Sequence, residues 1–263
     1  MELTYNKYLQ ITELTGLQNL KSDPNEHDEM LFIIIHQAYE LWFKQILHEV
    51  AHLIVKLEQN QLIAAQKTLK RINTILKVLV HQIDILETMT PLEFLSFRNY
   101  LDSASGFQSS QFRELEFALG LKQSAVLNRF EQGSPERKRL EDSFKSPTLW
   151  DFFLRYLQTN SYDIPQNILN RDFTAKVETS PEVQIILIDI YRNSPIIAQF
   201  CELMLDLDEG LQEWRYRHVK MVERTIGAKM GTGGSPGAKY LQSTLFNPCF
   251  PDLWAIRSEF NND

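Results

Sequence analysis

The sequence has few of the features that assign a chain to a special structural class. Its 263 residues contain two cysteines, Cys201 and Cys249, too few for a disulfide framework. Glycine and proline number only 10 each, and they cluster at the edges of the apolar patterns rather than inside them. Apolar residues at 43% and charged residues at 23% exclude disorder as the dominant state. The longest strictly apolar run, Met30 to Ile35, is far shorter than the ~20 residues that span a bilayer. We therefore expect neither a disulfide scaffold nor a membrane partner.

An excess of positive charge is also missing. Lys and Arg total 27 against 34 Asp and Glu, which gives a formal net charge of −7. That balance, without any Lys/Arg run, argues against a nucleic-acid or anionic-membrane partner. The first ten residues carry none of the basic and apolar regions of a secretory signal, so the expected compartment is the cytoplasm.

Apolar residues recur mostly at spacings of three and four, the period of a buried helix face. This pattern predicts long helices from His27 to about Gln59, from Leu62 to Met89, and from Ser194-Pro195 to about Ile226. No run of alternating apolar and polar residues is long enough to build a sheet. We expect an all-α fold, a helical bundle with long core helices, and residues 1–263 as a single domain.

Short signals predict the remaining helix starts. Thr90-Pro91-Leu92-Glu93 combines an N-cap, a proline at the first helical position and a capping-box glutamate. Ser134-Pro135, Ser146-Pro147 and Ser180-Pro181 resemble helix starts as well. The segment 231–237, GTGGSPG, matches no phosphate-binding loop, and it is read either as a flexible connector or as a cover over a substrate.

His48-Glu49-Val50-Ala51-His52 is a literal HExxH sequence on a predicted helix. Two histidines four residues apart share a helix face and could ligate zinc, with Glu49 as general base. The extended motif fails, because Val55 and Glu58 stand where its glycine and third histidine belong. A chance match on a solvated helix edge is the alternative interpretation.

Two further histidines lie on apolar helix faces. His218 shares a stripe with Trp214 and Val222, and His36 follows Phe32 by four residues. Each is explained either as a hydrogen-bonded core histidine or as a functional group. For His218 that function is axial ligation of a haem, and for His36 it is a buried neutral imidazole that hydrogen-bonds a ligand.

At these residues the sequence resembles the tryptophan 2,3-dioxygenase family. Five stretches carry the resemblance, in family order and over nearly the whole chain: 5–9 (YNKYL), 27–44 (HDEMLFIIIHQAYELWFK), 97–111 (FRNYLDSASGFQSSQ), 214–224 (WRYRHVKMVER) and 226–242 (IGAKMGTGGSPGAKYLQ). The middle of the chain, residues 122–182, carries little of it.

The resemblance implies a homotetramer, a dimer of dimers, of all-helical subunits. Each subunit holds one haem b between its helices, with Fe(II) in the active form. The reaction it implies is the oxidation of L-tryptophan by O2 to N-formyl-L-kynurenine, the first step of tryptophan degradation by the kynurenine pathway. Both oxygen atoms are inserted across the indole C2–C3 bond.

The resemblance also gives roles to individual residues. His218 matches the axial ligand of the haem iron, and a hydrogen-bond acceptor is expected to hold its other ring nitrogen. His36, the candidate catalytic residue, matches the histidine that contacts the indole N–H, and Phe32 matches the aromatic residue packed on the indole. Arg98 matches the residue that binds the substrate carboxylate, a task that suits a planar guanidinium. Phe94 stands where some members have a pocket tyrosine.

Further positions match the edges of the substrate site. Thr232 matches a contact to the substrate ammonium and carboxylate, and Ser105 with Gly106 matches a loop over the haem. An N-terminal arm, residues 1–20, is expected to exchange with a neighbouring subunit and to complete its pocket through three residues: Tyr5, Tyr8 and Leu9.

Two rival functions remain at this stage. A non-catalytic haem or indole sensor could keep the same pocket without forming product. A zinc peptidase could use HEVAH instead, and it would bind zinc and no haem.

Overall fold

The computed structural model describes residues 2–231 and 237–260, and within these ranges the regular structure is helical. The α-helices are α1 Tyr5–Leu9, α2 Ile11–Leu14, α3 His27–Glu58, α4 Leu62–Leu86, α5 Pro91–Arg98, α6 Ser110–Ala118, α7 Pro135–Lys145, α8 Leu149–Thr159, α9 Gln166–Leu169, α10 Pro181–Asn193, α11 Pro195–Ile226, α12 Ala238–Gln242 and α13 Pro251–Ala255. Short 3₁₀ turns cover Asn99–Leu101, Gly106–Gln108, Ser124–Arg129 and Ile256–Ser258. The all-α prediction is confirmed.

Helices α3, α4 and α11 form the centre of the bundle, with α4 packed against both of the others. Their apolar faces supply most of the principal core, which the sequence pattern identified. Gly210 of α11 faces α4: a Cβ at this position would lie 3.0 Å from a Leu76 methyl. The missing side chain therefore lets these two helices approach closely.

Helix starts follow the local signals in most places. Thr90 caps α5 in a capping box with Glu93, and Ser134 and Ser180 cap α7 and α10 through their side chains. The predicted start at Ser146-Pro147 is wrong by two residues. Helix α8 begins at Leu149, because Thr148 and Asp151 form a buried capping box there.

The helix predicted from Leu62 to Met89 also ends earlier than expected. Helix α4 ends at Leu86 rather than Met89, since the chain turns there toward the capping box of α5. Helix α5 ends at Arg98 and continues to Leu101 as a 3₁₀ turn.

The smaller helices lie around the central three. Helix α6 packs against α3 and α7, α8 packs against α3, and α10 and α12 pack against α11. None of the helices in the described ranges is long and apolar enough to cross a membrane. One end of α3 and the C-terminal half of α11 are left to border a cavity.

Candidate functional site

A cavity of about 230 Å³ opens between the N-terminal part of α3, the C-terminal part of α11, and helices α5, α6 and α12. Most of the residues singled out from the sequence line this one cavity: Phe32, His36, Phe94, Arg98, Ser105, Gly106 and His218. They come from four separate segments of the chain. Their convergence is produced by the fold and not by nearness in sequence.

The apolar end of the cavity is an aromatic cluster. The ring centroid of Phe32 lies 4.1 Å from that of His36, 5.8 Å from that of Phe94 and 5.5 Å from that of Phe97. Phe94 and Phe97 meet edge to face at 5.4 Å. Tilted and edge-to-face contacts of this kind suit the insertion of a further aromatic ring.

His36 is held in a single neutral form. Its Nδ1 lies 2.7 Å from the carbonyl oxygen of Phe32. A carbonyl only accepts, so Nδ1 carries the proton and Nε2 keeps its lone pair. Burial lowers the pKa of His36, against the opposing effects of the Phe32 carbonyl and the Glu40 carboxylate. At neutral pH the imidazole therefore offers one acceptor atom to a ligand that carries an N–H.

His218 lies on α11 and also lines the cavity. Its ring stacks on the Trp214 indole, with centroids 5.2 Å apart and planes 9° from parallel. Burial, with smaller effects from the nearby His36 and Arg113, lowers its pKa to about 4. Neither ring nitrogen hydrogen-bonds to a residue in the described ranges, so the acceptor expected for its other nitrogen does not come from these residues. A neutral imidazole with a free nitrogen is the form that binds a metal.

Arg98, at the end of α5, carries the charge at another edge of the cavity. Its Nη2 donates to the carbonyl oxygen of Met230, next to the glycine-rich segment. Within the described part of the chain, Arg98 has no carboxylate partner. The guanidinium therefore keeps donors for an anion that enters the cavity.

A turn at residues 105–108 covers part of the cavity. The Ser105 hydroxyl oxygen accepts from the Phe107 backbone N–H, and the Gln108 side chain accepts from the Ser105 N–H. This local capping box leaves the Ser105 hydroxyl proton available to a ligand. Nothing lies within 4 Å of the position that a Cβ of Gly106 would occupy, so the turn is open at this residue.

The sequence reasoning missed a buried ionic triad in the cavity wall. Glu116 accepts from Arg113 Nη1 at 2.6 Å and from Arg215 Nη2 at 2.5 Å. All three residues are 6–7% exposed, and all three line the cavity. Two cations share one carboxylate, so the triad carries a net charge of +1, and Arg113 Nε is buried without a partner. The i, i+3 pair on a short apolar helix was the available signal for this site.

The structure does not bring the HExxH side chains together. Glu49 is buried and accepts from Arg71 and Gln45, at 2.9 and 2.7 Å. His48 and His52 are both exposed on the surface of α3. The carboxylate and the imidazoles thus lie on different faces of the helix. In the parts of the chain that are described, no cluster of three His, Cys, Asp or Glu residues could hold a metal ion.

Four predicted positions do not reach this cavity or cannot be placed. Tyr5, Tyr8 and Leu9 lie in α1, on the surface, with 76%, 70% and 41% of their area exposed. They are separate from the lining of the cavity in their own chain. Thr232 lies outside the described residues.

The donor set defines what the cavity could hold. It combines an aromatic and apolar wall, one neutral imidazole on α11, and a buried pair of arginines with a surplus positive charge. A flat apolar macrocycle that carries carboxylates and takes one axial nitrogen fits this set. The unpaired Arg113 Nε is the buried donor that such a carboxylate would satisfy. The residues present therefore fit a haem.

Comparisons with known proteins agree with this chemistry. A family model described as tryptophan 2,3-dioxygenase matches residues 1–149 and 171–260. The chain is 57% identical to the tryptophan 2,3-dioxygenase of Herpetosiphon aurantiacus over 98% of both chains. It is 51% identical to that of Anaeromyxobacter sp. (strain K) over 97% of this chain and 95% of the relative, and 42% identical to that of Arthrobacter sp. (strain FB24) over 98% and 92%. The residues between the two matched ranges lie in the stretch where the sequence carried little resemblance.

Proposed function

The chain belongs to the tryptophan 2,3-dioxygenase family, and on this premise we propose that its cavity binds haem b and L-tryptophan side by side. The protein is an oxidoreductase that oxidises L-tryptophan. The proposed product is N-formyl-L-kynurenine, with both atoms of O2 inserted across the indole C2–C3 bond. One observation carries this proposal: His218, His36 and Arg98 border the same cavity although they lie far apart in the sequence.

His218 is the proposed axial ligand of the haem iron. Its neutral imidazole and unengaged nitrogen support this role, and the parallel Trp214 ring fixes its orientation. Arg113 and Arg215 are the proposed partners of the haem carboxylates. When bound, haem supplies the ferrous iron, active as Fe(II), that makes O2 reactive toward the substrate.

The amino-acid end of the substrate needs a carboxylate partner. We assign this role to Arg98, because its guanidinium lines the cavity and has only the Met230 carbonyl as acceptor in the described structure. A carboxylate can replace that carbonyl and take two parallel N–H donors. Ser105, Gly106 and Thr232 are proposed to complete this end of the site.

The indole end needs an aromatic slot and one acceptor. Phe32 and Phe94 provide the slot, and His36 Nε2 provides the acceptor for the indole N–H. This hydrogen bond orients the indole ring in the slot. His36 need not remove the indole N–H proton, since its own pKa is lowered by burial.

We further propose a homotetramer, a dimer of dimers, in which residues 1–20 cover the cavity of a neighbouring copy. The exposure of Tyr5, Tyr8 and Leu9 in an isolated chain supports this arrangement. Large apolar side chains on a short exposed helix indicate a partner surface.

A paired spectroscopic and product assay tests the proposal. Wild-type protein is loaded with haemin, passed through gel filtration, reduced without air, and mixed with L-tryptophan and O2. We expect a Soret band that elutes with the protein and the ultraviolet band of N-formyl-L-kynurenine. His218→Ala is expected to lose the haem band, while His81→Ala, at an exposed histidine of α4, keeps it.

The outcomes separate the candidate functions. A retained haem band without product would favour a sensor. A normal Soret band in His218→Ala would overturn the assignment of the axial ligand. Stoichiometric binding of zinc by a protein that has no affinity for haem would favour the zinc-peptidase interpretation of residues 48–52.

A further inference from the structure

An exposed arginine joins two walls of the cavity through aromatic rings. The guanidinium carbon of Arg129 lies 4.7 Å from the ring centroid of Phe107 and 5.5 Å from that of Tyr240. The two rings meet each other at 5.3 Å in an edge-to-face contact. We call Arg129, Phe107 and Tyr240 the Arg129 stack.

The two rings belong to separate elements that both border the cavity. Phe107 is in the turn 105–108, whose hydrogen bonds are local to the turn. Tyr240 is in α12, which directly follows Gly237 and the glycine-rich segment. Both rings line the cavity, whereas Arg129 stands behind them at the end of a 3₁₀ turn.

Among the described residues, the contacts of the Arg129 guanidinium are these two rings: it donates no hydrogen bond there and has no carboxylate partner. A guanidinium over an aromatic face is attracted by the ring, and a planar group can contact two rings at once. The contact therefore links the turn to α12.

We propose that Arg129 is a positioning residue: it holds the turn 105–108 against α12 and so keeps the cavity closed on this side around its ligands. The inference rests on the proposed function for the identity of those ligands. Arg129 itself touches neither ligand, so its loss should weaken retention of haem and tryptophan and leave the chemical step unchanged.

The test compares Arg129→Gln with Arg155→Gln in haem-loaded protein. Arg155 is a matched control, because its guanidinium also lies between two rings, 5.5 Å from Phe152 and 5.5 Å from Phe173, away from the cavity. We expect Arg129→Gln to raise the Kd for L-tryptophan, measured anaerobically from the Soret shift, by about three- to tenfold. Transfer of haem to an excess of apoglobin should accelerate by a similar factor.

Two further readouts separate positioning from a general loss of structure. The kcat per bound haem should stay at the wild-type value while KM rises, and Arg129→Lys should recover part of the loss. In hydrogen exchange, the amides of 105–108 and 238–242 should exchange faster in Arg129→Gln and not in Arg155→Gln. This last comparison also works on haem-free protein.

The inference would be overturned if the Arg129→Gln and Arg155→Gln variants had the same Kd for tryptophan, the same rate of haem transfer and the same rates of hydrogen exchange. A fall in kcat with an unchanged KM would overturn it as well. Failure of the wild-type protein itself to bind haem or tryptophan would instead contradict the proposed function, and the exchange comparison would still decide the role of Arg129.

Discussion

The buried triad of Arg113, Glu116 and Arg215 makes a strong prediction about the haem-free protein. Among the residues that the structure describes, Glu116 is the carboxylate that pairs with both guanidinium groups, at 2.6 and 2.5 Å. Glu116→Gln keeps the shape of the side chain and removes its charge. The charge of the triad then rises from +1 to +2 in a region where the residues are 6–7% exposed.

The expected cost is large because both partners stay buried. Removing one member of a buried ion pair costs about 3–5 kcal/mol, since the charge left behind has lost its compensation. Glu116→Gln should lower the free energy of unfolding of the haem-free protein by about this amount, which urea denaturation would measure. Haem should then stabilise the variant more than it stabilises the wild type, since its carboxylates supply the missing negative charge.

Glu114→Gln is the matched control on the same helix. Burial raises the pKa of Glu114, against a smaller opposing effect of the Arg139 charge. Among the described residues Glu114 forms no salt bridge within 4 Å. We expect this variant to change the free energy of unfolding by less than about 0.5 kcal/mol. Equal unfolding curves for Glu116→Gln and Glu114→Gln would refute the argument that the triad holds an uncompensated positive charge.

Three further predictions address the site directly. Burial lowers the pKa of His218 from 6.5 to about 4. Between pH 6.5 and 4 the imidazole is therefore protonated in the unfolded chain and neutral in the folded one. The free energy of unfolding of the haem-free protein should fall by about 3 kcal/mol from pH 6.5 to 4, and His218→Leu should lack this component in urea titrations at each pH. Arg98→Ala should weaken tryptophan binding at least about thirtyfold, with Arg98→Lys intermediate; an unchanged KM would contradict the role. A Cβ on Gly237 would lie 2.6 Å from the Lys229 carbonyl oxygen, so Gly237→Ala should raise the KM for tryptophan. Gly227 has a similar φ but open space around its Cβ position, so Gly227→Ala should leave KM unchanged. Equal effects of the two substitutions would mean that backbone strain alone matters.

The long helices could be predicted from the sequence because they depend on local periodicity. The apolar spacing in α3 and α11 and the capping box at Thr90 are signals within a few residues of each other. The helix start predicted at Ser146 is wrong because a stronger capping box at Thr148, closed by Asp151, lies two residues later. Competition between neighbouring caps is decided by burial, which the sequence does not display.

The residues of the candidate site also fall into those that the sequence indicated and those that it did not. His36 and His218 were singled out by their positions on apolar helix faces, and Arg98 was reached through the resemblance. The structure brings all three to one cavity. Arg113 and Arg215 were missed, because an arginine between apolar residues resembles a solvated edge until its partner is known. Glu116 is that partner, and it lies 99 positions from Arg215 along the chain.

The tetramer and the exchanged arm remain predictions. Tyr5 and Tyr8 are exposed in the single chain, and the proposal is that another copy of the chain covers them. Size-exclusion chromatography with light scattering would measure the assembly. A version without residues 1–20 would show whether the arm raises tryptophan affinity.

The central claim is that haem, L-tryptophan and O2 react in the cavity between His36 and His218. The most direct measurement mixes reduced, haem-loaded protein with L-tryptophan and ¹⁸O2 and determines the mass of the product. The account predicts N-formyl-L-kynurenine with two labelled oxygen atoms, formed by the wild type and not by His218→Ala. Unlabelled product, or an intact haem spectrum with tryptophan left unchanged, would contradict it.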